Sequence, residues 1–215
     1  MKTIELFSGT RSFSKSANIR NHSTFSVDNN PEFKPDVCCD ILNLLLTKEF
    51  NEVDVLWASP PCTSFSVTSI SSSWVGNYHP KRVETALGMA YVLKTLEIIK
   101  EIQKKNPNLI WFIENPRGVL RKMGFMEGLK RYTVTYCQYG DERMKPTDIW
   151  TNLKGWNPKP MCKNGDSCHV PAPRGSKTGT QGRKNSIDRF QVPEKLCLEI
   201  IKCCEQIGTI NNRKR

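Results

Sequence analysis

The sequence predicts an α/β fold, a mostly parallel sheet wrapped by helices with an antiparallel hairpin at one edge. Three observations predict it. Short β-prone runs alternate with helical stretches through the first half of the chain; those runs end abruptly in turns rich in Gly and Pro; and chemically capable polar residues stand just past the strand ends, where open α/β sheets collect ligands. A length of 215 residues suits one domain with a small appendage and can enclose a core without disulfides or a structural metal.

The first strand is Thr3–Phe7, closed by Ser8-Gly9. The second is Ser23–Val27, ending at Asp28, and the third is Val53–Ala58, stopped by Ser59-Pro60-Pro61. A long helix follows from Val83 to Lys105, with Met89, Val92, Leu96, Ile99 and Ile102 at helical spacing and Asn106-Pro107 as its stop. Leu109–Ile113 is the most apolar strand and ends at Glu114-Asn115-Pro116. Thr133–Cys137 and Asp148–Thr151 form the hairpin. Pro193 opens a last helix, with Leu196, Ile200, Cys204 and Ile207 on one stripe and Gly208 as its terminator. Residues Thr63–Lys81 are expected as a long Ser-rich loop. The domain reading is a core over 1–154, a small Gly/Pro/basic insertion over 155–186, and a C-terminal helix over 187–215 that packs back on the core.

Two strand-end residues carry the chemistry. Cys62 sits four residues past a buried strand, on a turn stiffened by two prolines, which presents a thiolate rigidly. A packing cysteine is the alternative, and the flanking prolines and polar residues argue against it. Glu114 has the same position on another strand, and a carboxyl buried there can hold a proton near neutral pH; the bland reading is a helix cap or a pair with Arg117. Gly9 and Asp28 stand at about the 20-residue separation expected between a glycine turn and a ribose-binding acid. Asp40, followed by Ile41, is either a third acid near an adenine or a helix N-cap.

Taken in order, LFSGT at 6–10, SPPCTSFS at 59–66, ENPRG at 114–118, the Arg143/Lys145 region and RFQVPEKLCLEI at 189–200 resemble the motifs of the DNA cytosine C5-methyltransferase family. Shared with its short phage-type members is the run KPTDIWTN at 145–152. The resemblance implies a Rossmann-like class I S-adenosylmethionine-dependent methyltransferase. It assigns catalysis to Cys62, Glu114, Arg143 and Lys145, and S-adenosyl-L-methionine to Phe7, Ser8, Gly9, Thr10, Asp28, Asp40, Ile41 and Pro60. Cys62 would attack cytosine C6 while Glu114 engages N3 and Arg143 or Lys145 holds O2. Two departures stand out: the later glycines of the first motif are missing, and Glu5 replaces an Asp.

Lysine and arginine total 32 against 21 acids, a net charge of +11 that favours a polyanionic partner. Arg174, Lys177, Arg183, Lys184 and Arg189 are the expected phosphate contacts. The expected partner is DNA, with single-stranded DNA or RNA as options, and no membrane: no long apolar run or export signal is present, which points to the cytoplasm of a bacterial or phage-infected cell. An odd count of nine cysteines then implies free thiols. Cys162, Cys168 and His169 could give three zinc ligands, but their spacing fits no standard finger and no fourth is evident, so no metal is expected. Because the insertion leaves little room for a recognition domain, RNA or a free cytidine nucleotide is the alternative substrate. A non-catalytic nucleic-acid-binding module is the third reading.

Overall fold

In the computed structural model, which describes residues 1–171 and 186–212, the elements run as β1 (Lys2–Leu6), α1 (Ser12–Ile19), β2 (Ser23–Asp28), β3 (Val37–Cys38), β4 (Val55–Ala58), α2 (Ile70–Ser73), β5 (Trp74–Val75), β6 (His79–Pro80), α3 (Val83–Lys105), β7 (Ile110–Pro116), β8 (Arg131–Thr135), β9 (Pro146–Thr151), α4 (Ser186–Phe190) and α5 (Glu194–Asn212). Seven strands make one sheet in the order β3-β2-β1-β4-β7-β9-β8, while β5 and β6 pair separately. The β3-to-β7 strands are parallel; β9 is antiparallel to both β7 and β8. The expected α/β sheet with an antiparallel edge is therefore the observed one.

Alternation along the strands explains why both faces are covered. In β4, Val55 and Trp57 face one layer with Phe13 and Ala17 of α1 and Leu196, Ile200 and Cys204 of α5. Leu56 and Ala58 face the other, against Val92, Ile98, Ile99 and Ile102 of α3. Trp57 is fully buried and stacks on Phe13 with centroids 5.0 Å apart, a burial that contributes on the order of 2–3 kcal/mol. Glu5 points to the α1 layer, where its carboxylate accepts from the Phe13 and Ser14 amides at 3.1 and 2.8 Å. It thus satisfies the orphan donors of α1, whose own preceding residue, Arg11, supplies no side-chain cap.

Several boundaries differ from expectation for identifiable reasons. β7 runs on to Pro116 because β9 continues the ladder, pairing Glu114 with Ile149 and Asn115 with Asp148. β8 ends at Thr135, and Tyr136–Tyr139 coil into a 3-10 turn closed by Gly140 at φ 87°. The Thr63–Lys81 stretch is not a plain loop. It folds into α2 and the β5–β6 hairpin around buried Trp74, whose indole N–H donates to the Ser64 carbonyl at 2.6 Å. Nor does Gly208 end the last helix, which reaches Asn212.

Candidate active site

Beyond the carboxyl ends of β1, β2, β4 and β7 lies a cavity of about 680 Å³, and both halves of the expected site line it. On one side are Phe7, Ser8, Gly9, Thr10, Asp28, Asp40, Ile41 and Pro60; on the other are Cys62, Glu114 and Lys145. Parallel strands explain the convergence, because their last residues share one edge of the sheet.

The turn after β1 is left-handed at Phe7 (φ 55°) and Gly9 (φ 43°). It is held by Asp28, whose two carboxylate oxygens accept from the Gly9 and Asn30 amides at 2.8 and 2.9 Å. Asp28 therefore shapes this turn as well as facing the cavity. Asp40 combines the two roles left open by the sequence. One oxygen caps a short 3-10 turn at the Leu42 amide (2.8 Å), while the other accepts from the Tyr91 hydroxyl at 3.2 Å inside the cavity wall. Ser8 contributes a buried hydroxyl oxygen with no hydrogen-bond partner among the described residues.

At the other side, Cys62 is half-buried and rides on a turn tied to β7, since the Asn115 side-chain amide donates to the Pro60 carbonyl at 2.9 Å. Gly118 completes the tie. The Val119 amide donates to the Phe65 carbonyl at 2.8 Å, and a Cβ on Gly118 would stand 2.1 Å from that same oxygen. Glu114 is buried and accepts from the Tyr136 hydroxyl at 2.9 Å. Burial pushes the Tyr136 phenol well above its ordinary range, with the Glu114 charge adding to it, so the hydroxyl stays a donor.

Lys145 extends its ammonium 4.6 Å above the Tyr136 ring and donates to the Arg189 carbonyl at 3.1 Å. Its backbone sits at φ 27°, a strained conformation for a non-glycine residue of the kind that concentrates at functional sites. Burial pushes the Cys62 thiol up; the Lys145 ammonium pulls it down and the Glu114 carboxylate pushes it further up. In return, burial lowers the Lys145 pKa while Glu114 and Cys62 oppose the fall. All three groups line the same cavity.

Arg143 takes a different place from Lys145. It is buried, its guanidinium is engaged by Asp141 and the Arg189 carbonyl, and it is not part of the cavity wall. The sequence missed residues that the fold brings in, Tyr136, Asn115, Tyr91 and Phe190, the last two on the wall; Arg189, expected as a phosphate contact, lines the wall as well. Arg174, Lys177, Arg183 and Lys184 lie outside the described residues. Cys137 stands among Cys162, Cys168 and His169 as a fourth donor, so the count of three that argued against a metal was incomplete. It was missed because it lies 25 residues upstream in a segment read as strand.

The fold is that of a methyltransferase. A methyltransferase of Entamoeba histolytica, EhMeth, superposes with a TM-score of 0.50 at 17% identity, over 76% of this chain and 57% of that one. The Dnmt2 methyltransferase of S. pombe gives 0.48 at 18% identity, over 73% and 52%. The chain thus spans little more than half the length of these solved structures. It is 31% identical over 226 aligned positions to a Frog virus 3 (isolate Goorha) protein named "Probable DNA (cytosine-5)-methyltransferase", covering 95% of this chain and all of that protein. The chain belongs to the DNA (cytosine-5)-methyltransferase family. No protein-family model matches the sequence.

Proposed function

We propose that this protein transfers the methyl group of S-adenosylmethionine to C5 of cytosine in DNA. The observation that carries the reading is the convergence of Cys62, Glu114 and Lys145 on one wall of a cavity whose other wall is a glycine turn with two acids. That second wall fits an adenosyl group. The acids suit ribose and adenine donors, and the buried Ser8 hydroxyl, without a partner among the described residues, would take one from a polar ligand atom. Phe7–Thr10, Asp28, Asp40, Ile41 and Pro60 would hold it. When bound, it supplies an electrophilic methyl group on a sulfonium.

The residues of the chain do the rest. Cys62 loses its proton and its thiolate forms a bond to C6 of the cytosine, for which a neutral thiol is too weak a nucleophile. Lys145, whose charge favours the thiolate, would then neutralise O2. Glu114, held in place by Tyr136, donates a proton or hydrogen bond to N3 as electrons move from the C5–C6 bond into the ring. C5 becomes nucleophilic. After methylation, water takes the C5 proton, the electrons of that C–H bond restore the C5–C6 double bond as the C6–S bond breaks and the Cys62 thiolate leaves, and N3 returns its proton to Glu114, so the enzyme ends as it began. A base in duplex must leave its stack to meet Cys62. The +11 charge supports a polyanionic substrate, and the basic 155–186 insertion is the segment we assign to contacting it.

The deciding experiment is a trap. DNA carrying 5-fluorocytosine cannot lose its C5 substituent, so a stable adduct should form at Cys62 only when the methyl donor is present. Label transfer from S-adenosylmethionine should be compared on duplex DNA, single-stranded DNA, RNA and dCMP. Transfer to RNA or dCMP alone would overturn the DNA assignment, and absence of both adduct and transfer would overturn the reaction.

A further inference from the structure

We propose that Cys137, Cys162, Cys168 and His169 form a structural zinc site that clips the segment after β9 to the end of β8. Their four ligand atoms all lie within 4.8 Å of one another. Cys137 comes from the 3-10 turn that follows β8; the other three come from the segment after β9. Three of the six separations match a tetrahedral zinc. With Zn–S near 2.3 Å and Zn–N near 2.0–2.1 Å, tetrahedral angles require about 3.8 Å between thiolates and about 3.5 Å between thiolate and imidazole. The observed separations are 3.6 Å for Cys168–Cys137, and 3.7 and 3.6 Å from Nδ1 of His169 to Cys162 and Cys168. Cys137 and Cys162 are closer, at 3.0 Å, and would part slightly around the ion.

Packing alone does not account for this cluster. Cys137, Cys162 and His169 are buried, but Cys168 is exposed and has no apolar reason to turn its sulfur toward the others. The local chain is built to present them. A turn at 163–166, with Gly165 at φ 96° and Asp166 accepting from the Lys163 amide at 2.6 Å, folds Cys168 back toward Cys162. The Cys162 amide is itself fixed by the Thr135 hydroxyl at 3.1 Å. Around the ligands, Gln138 directs its side-chain amide at the Cys168 sulfur from 3.7 Å, the outer-shell donor expected beside a metal thiolate. Three cysteines and one histidine form a closed structural set, with no position left for substrate. Binding would release up to three thiol protons to solvent without any redox change.

The clip has a mechanical consequence. Trp156 and Tyr139 both donate to Glu199 of α5, at 3.0 and 3.1 Å, and the Val170 amide donates to the Glu142 carbonyl at 2.9 Å. With the metal between these contacts, residues 156–170 are held along the flank of the sheet. Their far end is delivered to the loop that carries Lys145.

The test uses the full chain and needs no turnover, so its failure is separable from failure of the catalytic reading. Protein from zinc-supplemented cells should carry about one zinc per chain by elemental mass spectrometry. Cys162→Ser and His169→Ala should each lose most of it, while Cys38→Ser should keep it. Should the variants misfold, cobalt titration of the wild-type chain should give the visible and near-ultraviolet bands of a tetrahedral thiolate complex, displaced by zinc. Chelation should lower Tm and open residues 156–170 to protease before the sheet. Sub-stoichiometric zinc without cobalt–thiolate bands, or a Cys137–Cys162 disulfide in non-reducing peptide maps, would overturn the site.

Discussion

The side-chain amide of Asn115 donates to the carbonyl of Pro60, so the strand that carries Glu114 grips the turn that carries Cys62. This bond is buried, and its loss strands the Pro60 carbonyl at a cost of about 1–3 kcal/mol. Asn115→Ala should lower kcat at least tenfold and leave little changed the KM for S-adenosylmethionine, whose proposed site is the β1 and β2 turns. Steady-state kinetics on the purified variant check this; an unchanged kcat would show that Cys62 and Glu114 need no tether.

The pH profile should expose Lys145. Burial holds the Cys62 thiol above its ordinary pKa and Lys145 is the first opposing influence. Activity that depends on the thiolate therefore rises with pH. Lys145→Gln removes the positive charge, pushes the thiol higher still, and should move the rising limb of kcat/KM to higher pH as well as lowering the plateau. The rate of Cys62 alkylation against pH reports the same shift without substrate.

Gly118 cannot accept a side chain while the Phe65 carbonyl remains in place. Gly118→Ala must push apart the loops bearing Cys62 and Glu114, an overpacking cost of about 1–3 kcal/mol. A fall in Tm together with a kcat loss at least as large as that of Asn115→Ala is expected. A variant as stable and active as wild type would show that the loop contact is dispensable.

Glu205 on α5 accepts from Arg20 (3.1 and 2.8 Å) and lies 2.8 Å from His22, joining the last helix to the end of α1. Its pKa lies below the ordinary carboxylate value, with the Arg20 hydrogen bond the first cause. A depressed acid stabilises the fold above its unfolded-state pKa and loses that contribution as pH falls through its folded value. Glu205→Gln should therefore cost about 0.5–1 kcal/mol at neutral pH, the discounted worth of a partly exposed pair. The difference in Tm should shrink once the pH falls below the unfolded carboxyl value of about 4.3 and vanish only below the lowered folded one. A deficit that persists in acid would assign the effect to packing.

What the sequence made legible was whatever depended on local pattern. Alternation and abrupt Pro/Gly stops marked β1, β4 and β7, and with them the shared edge where Cys62 and Glu114 meet. α3 was delimited at Val83 and Lys105 by its periodicity and by Asn106-Pro107. Missed features depend on partners distant in the chain. β7 continues through Glu114 because β9 is there to pair with it, and Tyr136 reaches Glu114 only after β8 has found its place. Arg143 and Lys145 are two residues apart and looked interchangeable. The fold separates them by giving Arg143 to Asp141 and leaving Lys145 to the cavity.

The reversed direction of β9 carries an evolutionary consequence. An antiparallel strand inserted beside β7 brings its first residues, rather than its last, to the reactive rim, and the chain leaving its far end must travel back along the flank to rejoin that rim. Val170 and Arg189 both end that journey against the 141–145 loop. A change in the number of residues between Val170 and Arg189 therefore leaves both anchors on that loop, and every strand of the sheet, where they are. Chain length can then vary between those anchors with the thiol, the acid and the lysine kept in their places.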